Sequence, residues 1–159
     1  MTSDLAYHSA SKALEMAGVT ADKIDLVIVA TFTPDMPLPS TACILQKKLG
    51  ASKAFCFDIQ AACSGLLYSL EVASLMLRSR PDYKYALVTG AEKLSSIVDW
   101  QDRSTCVLFG DGASTLLIER TDDAEDAFVA SKLGADGNYA SSLHIPAGGV
   151  AMPSSHETV

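Results

Sequence analysis

"AFCFDIQAACSGLLYSLEVASLML", residues 54–77, sets a run fit for a buried strand against a small-residue elbow, then follows it at once with a long, largely apolar helical pattern. Residues 54–60 read as a strand and residues 63–79 as a helix. Cys63 stands at the junction. Ala61, Ala62, Ser64 and Gly65 around it are small enough to let backbone and substrate approach closely. Leu66, Leu67, Leu70, Val72, Ala73, Leu75, Met76 and Leu77 spread over most of the helix circumference, a pattern that predicts a helix buried inside a protein rather than lying on its surface.

Outward from this stretch, helix-like and strand-like segments alternate. Residues 4–17 carry Ala6, Ala10, Ala13, Leu14 and Ala17 at helical spacing, with Gly18 as the stop. "IDLVIVAT", residues 24–31, is the β-branched run of a strand covered on both faces in a parallel sheet. "FTPDMPLPST" is a proline-punctuated loop, residues 41–49 form a short helix ended by Gly50, and "YALVTGA", residues 85–91, is a third strand. "TCVLFGDGASTLLIER" reads as two extended halves on either side of a Gly-Asp-Gly turn, with Asp111 bonding local amides, and "FVASKLGADG", residues 128–137, as a weak strand before a loop-like tail. Repeated βα units imply a layered α/β fold on a mixed, mostly parallel sheet.

In such a sheet the ligand site lies beyond the carboxyl ends of the strands, where the next helices begin. Cys63 occupies such a place. A helix N-terminus carries about half a positive charge and unpaired N–H groups, so it favours a thiolate and can hold an oxyanion developing on an attacked thioester. Position alone leaves packing open as well, because cysteine is among the most buried residue types.

Composition bounds the function. With 159 residues, 48% of them hydrophobic and 19% charged, the chain has room for one ordinary domain with a real core. A net charge of -7 argues against non-specific nucleic-acid binding or an anionic membrane surface, although an acidic carrier protein can still dock on a local basic patch. The opening residues lack the basic and apolar regions of a secretory signal, and no apolar run reaches the roughly 20 residues of a membrane span. The cytoplasm is the expected compartment. Cys43, Cys56, Cys63 and Cys106 lack the paired spacing of a zinc site, so no metal is expected and each is read as a free thiol. "FGDGAS" lacks the spacing of a phosphate-binding glycine loop.

"DIQAACSGLLYSLEVA" followed by "YALVTGAEKLSSIVDWQDRSTCVLFGDGAS" closely resembles the β-ketoacyl-acyl-carrier-protein synthase III group of the thiolase-like condensing enzymes, from the first helix to about Gly149. The resemblance implies a thiolase-like α-β-α half-fold with the Cys63 helix central. It also implies decarboxylative condensation of an acetyl-coenzyme A or other short acyl-coenzyme A primer with malonyl-acyl-carrier protein, the first step of fatty acid biosynthesis. Coenzyme A thioester is substrate there, and no further cofactor is implied. Cys63 matches the nucleophile. Arg103 matches an arginine at the mouth of the pantetheine tunnel, and by position alone is equally a surface arginine. Leu94 and Phe109 match positions lining the acyl pocket and tunnel, and as apolar residues are equally core. Leu38 matches the residue that reaches across a two-fold homodimer into the partner's acyl pocket. A phenylalanine is commoner there, so leucine leaves room for a longer or branched primer.

By the same resemblance, residues 1–159 form a single partial domain, the N-terminal half of the fold. The first strand, the C-terminal half and the histidine and asparagine that promote decarboxylation are expected outside these residues. His8, His144 and His156 match no catalytic position. Two other readings follow: a non-catalytic remnant or scaffold, and a polyketide starter synthase or acyltransferase using the same cysteine.

Overall fold

β1 (Leu26–Ala30) lies between two parallel neighbours and is buried along its whole length. The computed structural model describes residues 1–122 and 128–158, in two compact units, Met1–Val129 and Ala130–Val159. In the first unit the sheet runs β2 (Phe55–Ile59), β1, β3 (Tyr85–Lys93), β4 (Asp111–Glu119), with β4 alone antiparallel, as expected for a mixed, mostly parallel sheet.

The pleat of β1 builds two cores, because alternate side chains point to opposite faces. Val27 and Val29 pack with Ala6, Ala10 and Leu14 of α1 (Thr2–Ala17) and with Ala42 and Leu45 of α2 (Thr41–Leu49). Leu26 and Ile28 pack with Ala73 and Leu77 of α3 (Gly65–Ser79) and with Ala86 and Val88 of β3. The result is an α-β-α sandwich. Each fully buried valine, leucine or isoleucine on β1 contributes about 1.5–3 kcal/mol of transfer free energy. Gly18 and Gly50 end α1 and α2 in the left-handed conformation, as the sequence predicts, and α1 begins two residues earlier than its periodicity suggests.

Several expectations need correction. The helix α3 is not enclosed: one stripe, Gly65, Ser69, Ala73, Ser74 and Leu77, is buried on the sheet, whereas Leu67 and Leu75 are 60% and 54% exposed. A sheet covers one side of a helix, and among the described residues of this unit no second layer lies over α3. The stretch before Gly110 is not extended. Asp102 accepts from the amide and hydroxyl of Ser104 and the hydroxyl of Thr105, while its carbonyl accepts from the amides of Thr105 and Cys106, winding these residues into turns. The Gly-Asp-Gly segment is therefore no hairpin turn, and Asp111 and Gly112 open β4 opposite Lys93 and Glu92.

The weak strand expected at residues 128–137 is absent. Residues 128–136 are irregular, and the Asp136 carboxylate accepts from the amide of Asn138 to cap the short 3-10 turn Gly137–Tyr139. Lys132, Gly134, Asp136 and Gly137 interrupt any apolar alternation there. Beyond it, the second unit is built of turns, with Gly148 at φ 97 and its amide donating to the Met152 carbonyl.

Candidate active site

β2 delivers the chain to its carboxyl end at Ile59. Residues 60–64 then turn sharply before α3 begins. Ala62 has φ 43, a left-handed conformation that a residue with a Cβ adopts at a cost on the order of 1 kcal/mol. Ala62 opens the short 3-10 turn Ala62–Ser64, which puts Cys63 on the outside of the elbow, exposed, two residues ahead of the helix. Ser64, at the N-cap of α3, makes no side-chain cap bond, so its hydroxyl does not claim the first-turn amides. The thiol thus sits at the positive end of a 15-residue helix.

The elbow is held close to β1. A Cβ on Gly65 would stand 3.0 Å from the Ala30 Cβ, at the buried end of β1, so glycine lets α3 lie this near without pushing Ala30 aside. Gly65→Val is expected to destabilise the fold by about 1–3 kcal/mol through overpacking, read from the urea midpoint. An unchanged midpoint contradicts the tight fit.

Cys63 lines an open cleft of about 380 Å³ together with Ala30, Leu66, Gly90, Glu92 and Gly112. Gly112 has open space where a Cβ would be, so β4 approaches the cleft without filling it. Among the resemblance-derived positions, Cys63 alone lines this cleft. Leu94 is half-buried in the 3-10 turn Leu94–Ser96 that follows β3, and Phe109, 39% exposed, lies two residues before β4. Arg103 lies exposed among the turns between them. Leu38 is 83% exposed on the loop between β1 and α2. His8 lines a separate cleft between α1 and β4, away from the thiol.

Two carboxylates missed by the sequence reading hold that loop at its ends. Glu92, on β3 and lining the Cys63 cleft, accepts from the amides of Phe32 and Thr33 at 3.0 and 3.1 Å and from the hydroxyls of Thr31 and Thr33. Asp58, on β2, accepts from the amides of Thr41 and Ala42, both at 2.7 Å, at the N-terminus of α2. Leu38 is slung between these anchors. The available signal was a lone acid inside each otherwise apolar strand, "AFCFDIQ" and "YALVTGAEK".

Asp111 has a related task. It accepts from the Ser95 amide at 2.8 Å, the Ser95 hydroxyl at 2.7 Å and the Lys93 ammonium at 3.0 Å, fixing the turn that carries Leu94. These partners, the Ser95 amide first, hold its carboxyl at about 2, below the ordinary value of 3.8. A depressed carboxylate contributes stability above its unfolded value and loses it as pH falls through the folded one. Trp100, the sole tryptophan, donates to the Ser95 carbonyl at 3.3 Å and reports this turn. Its emission is expected to change between about pH 4 and pH 2, and Asp111→Asn is expected to remove that transition. An unaltered transition in the variant contradicts the assignment.

Among the described residues no cluster of three or more His, Cys, Asp or Glu is arranged to hold a metal ion, and no helix is long and apolar enough to cross a membrane. Residues 57–137, which contain the elbow, β4 and the cleft lining other than Ala30, match the family model for 3-oxoacyl-[acyl-carrier-protein (ACP)] synthase III. The chain belongs to this family. The synthase III relatives include the beta-ketoacyl-[acyl-carrier-protein] synthase III of Caldanaerobacter subterraneus subsp. tengcongensis, 49% identical over 99% of this chain and 47% of that protein. Another, from Xanthomonas campestris pv. campestris, is 52% identical over 92% of this chain and 44% of its own length. The solved synthase III of Thermus thermophilus superposes with a TM-score of 0.85 at 36% identity, covering 99% of this chain and 47% of that one. The chain spans about half the length of the curated relatives it matches. The thiolase-like fold class read from the sequence agrees with these structures.

Proposed function

We propose that this chain carries the nucleophile-bearing portion of a β-ketoacyl-acyl-carrier-protein synthase III, residues 1–159 forming the N-terminal half of its thiolase-like fold. The observation that supports this most is Cys63, exposed at the N-terminus of α3 on a strained elbow beside an open cleft. In the reaction, the Cys63 thiolate attacks the thioester carbonyl of an acetyl- or other short acyl-coenzyme A. The carbonyl electrons move onto oxygen, where the amides at the start of α3 stabilise them, and return as coenzyme A thiolate leaves. Transfer between thioesters is nearly balanced in energy, so one thiol serves as attacker and then as leaving group. Malonyl-acyl-carrier protein then loses carbon dioxide, and the electron pair of the broken C–C bond attacks the acyl-cysteine carbonyl, freeing Cys63. Cys63 and the substrate thioesters supply the groups between which bonds form and break, and no cofactor is needed. Arg103 pairs with coenzyme A at the rim, and Leu94 and Phe109 line the acyl path.

The partners are acyl-coenzyme A, acyl-carrier protein and a second copy of the chain. β2 is an edge strand with Phe55 53% exposed on it, and a free edge pairs readily with its own copy across a two-fold axis. That arrangement suits Leu38, which projects from the loop fixed at both ends by Glu92 and Asp58. The four free thiols fit a cytoplasmic location.

A burst of about one coenzyme A per chain on mixing with acetyl-coenzyme A is expected, and no release by folded protein contradicts the reading. For the primer, Leu38→Phe is expected to lower turnover of isobutyryl- relative to acetyl-coenzyme A by about tenfold or more, since filling a pocket by a few carbons is worth 1–3 kcal/mol. Strict acetyl preference in the unsubstituted protein contradicts the role given to Leu38.

A further inference from the structure

Cys43, in the first turn of α2, and Cys56, on β2, bring their sulfurs to 3.2 Å although they are not bonded. The contact is the middle rung of a ladder. Cys56 and Asp58 alternate along β2, and Ala54, just before the strand, keeps the same alternation, its side chain packing with that of Cys56 in the core beneath α2. At one end Gln46 donates its side-chain amide to the Ala54 carbonyl at 3.1 Å, and at the other Asp58 accepts from the Thr41 and Ala42 amides. Bonds on either side therefore fix the register of helix against strand, and the gap left to a covalent bond of about 2.05 Å is little more than an ångström. Both residues are only partly buried.

We propose that Cys43 and Cys56 are a dithiol modification site, which closes to an intramolecular disulfide by exchange with small-molecule disulfides such as oxidised glutathione and reopens with a thiol reductant. The inference rests on the fold and is independent of the acyl chemistry at Cys63. Burial first, and the contact with Cys43 second, push the Cys56 thiol up. Cys43, in the first turn of α2, opens the exchange. The Cys43 thiolate attacks the small disulfide and expels one glutathione thiolate, forming a mixed disulfide. Cys56 then gives up its proton and attacks the Cys43 sulfur, expelling the second. Two protein thiols are oxidised, one disulfide is reduced to two thiols, and both protons end on glutathione. The bridge ties the first turn of α2, just past the Leu38 loop, to the strand that leads into the Cys63 elbow.

A chain carrying Cys63→Ser and Cys106→Ser retains these two thiols alone. After incubation with oxidised glutathione and alkylation with iodoacetamide in denaturant, its intact mass is expected to fall by two hydrogens with no alkyl group added. Non-reducing digestion is expected to yield Cys43 and Cys56 peptides joined, and dithiothreitol to restore two alkylatable thiols. The same joined peptide is expected from the unsubstituted chain, which keeps the test sound should the double variant fold poorly. Two alkylated cysteines, stable glutathione adducts on either residue, or a disulfide-linked dimer overturns the proposal.

Discussion

Replacing Cys63 with alanine is expected to abolish acyl transfer from acyl-coenzyme A, lowering the rate by at least about a thousandfold, while leaving the unfolding midpoint nearly unchanged. The two halves of that expectation have separate causes. Cys63 is exposed on the elbow, so truncation opens no buried cavity and costs little stability. The amides at the head of α3 remain, yet they have no acyl group to act on. A serine in its place keeps the geometry but attacks poorly, because an unassisted hydroxyl is almost wholly protonated at neutral pH, so Cys63→Ser is expected to fail nearly as badly. Coenzyme A release measured beside thermal unfolding separates catalysis from folding: a variant that retains transfer identifies Cys63 as packing.

The second large effect is expected at Glu92. Glu92→Ala strips the partner from two amides and two hydroxyls of residues 31–33, Thr31 and Thr33 being buried, and is expected to cost about 3 kcal/mol, lowering the melting temperature by roughly 10 °C. The sum of four separate bonds overstates the loss, since bonds in one network are not additive and water reaches part of the site. Glu92→Gln keeps the shape and one acceptor oxygen and is expected to cost roughly a third as much. Equal stability of the alanine variant and the parent contradicts the anchoring role.

Sequence revealed the elements that depend on local pattern. The β-branched run of β1 and the glycines after α1 and α2 state their conformations in single residue types, and the elbow was visible as small residues between a strand pattern and a helix pattern. What remained hidden depends on neighbours. The exposure of Leu67 and Leu75 is unreadable from α3 itself, because an apolar circumference records what a helix can bury and not how many layers surround it. "TCVLF" has strand composition, yet Asp102 upstream captures the amides and hydroxyls that follow it, and the local bonds prevail. Glu92 and Asp58 look like solvated acids until the fold brings loop and helix amides to them. Asp111 was expected to bond nearby amides, and its amide partner lies 16 positions away on the turn after β3.

The central claim is that Cys63 accepts the acyl group. Intact-protein mass spectrometry after mixing with acetyl-coenzyme A, followed by peptide mapping under mildly acidic conditions that preserve thioesters, tests it most directly. One acetyl group per chain, confined to the peptide bearing Cys63 and removed by hydroxylamine, is the predicted result. A folded protein that takes up no acetyl group, or carries it on Cys43, Cys56 or Cys106 instead, contradicts the account.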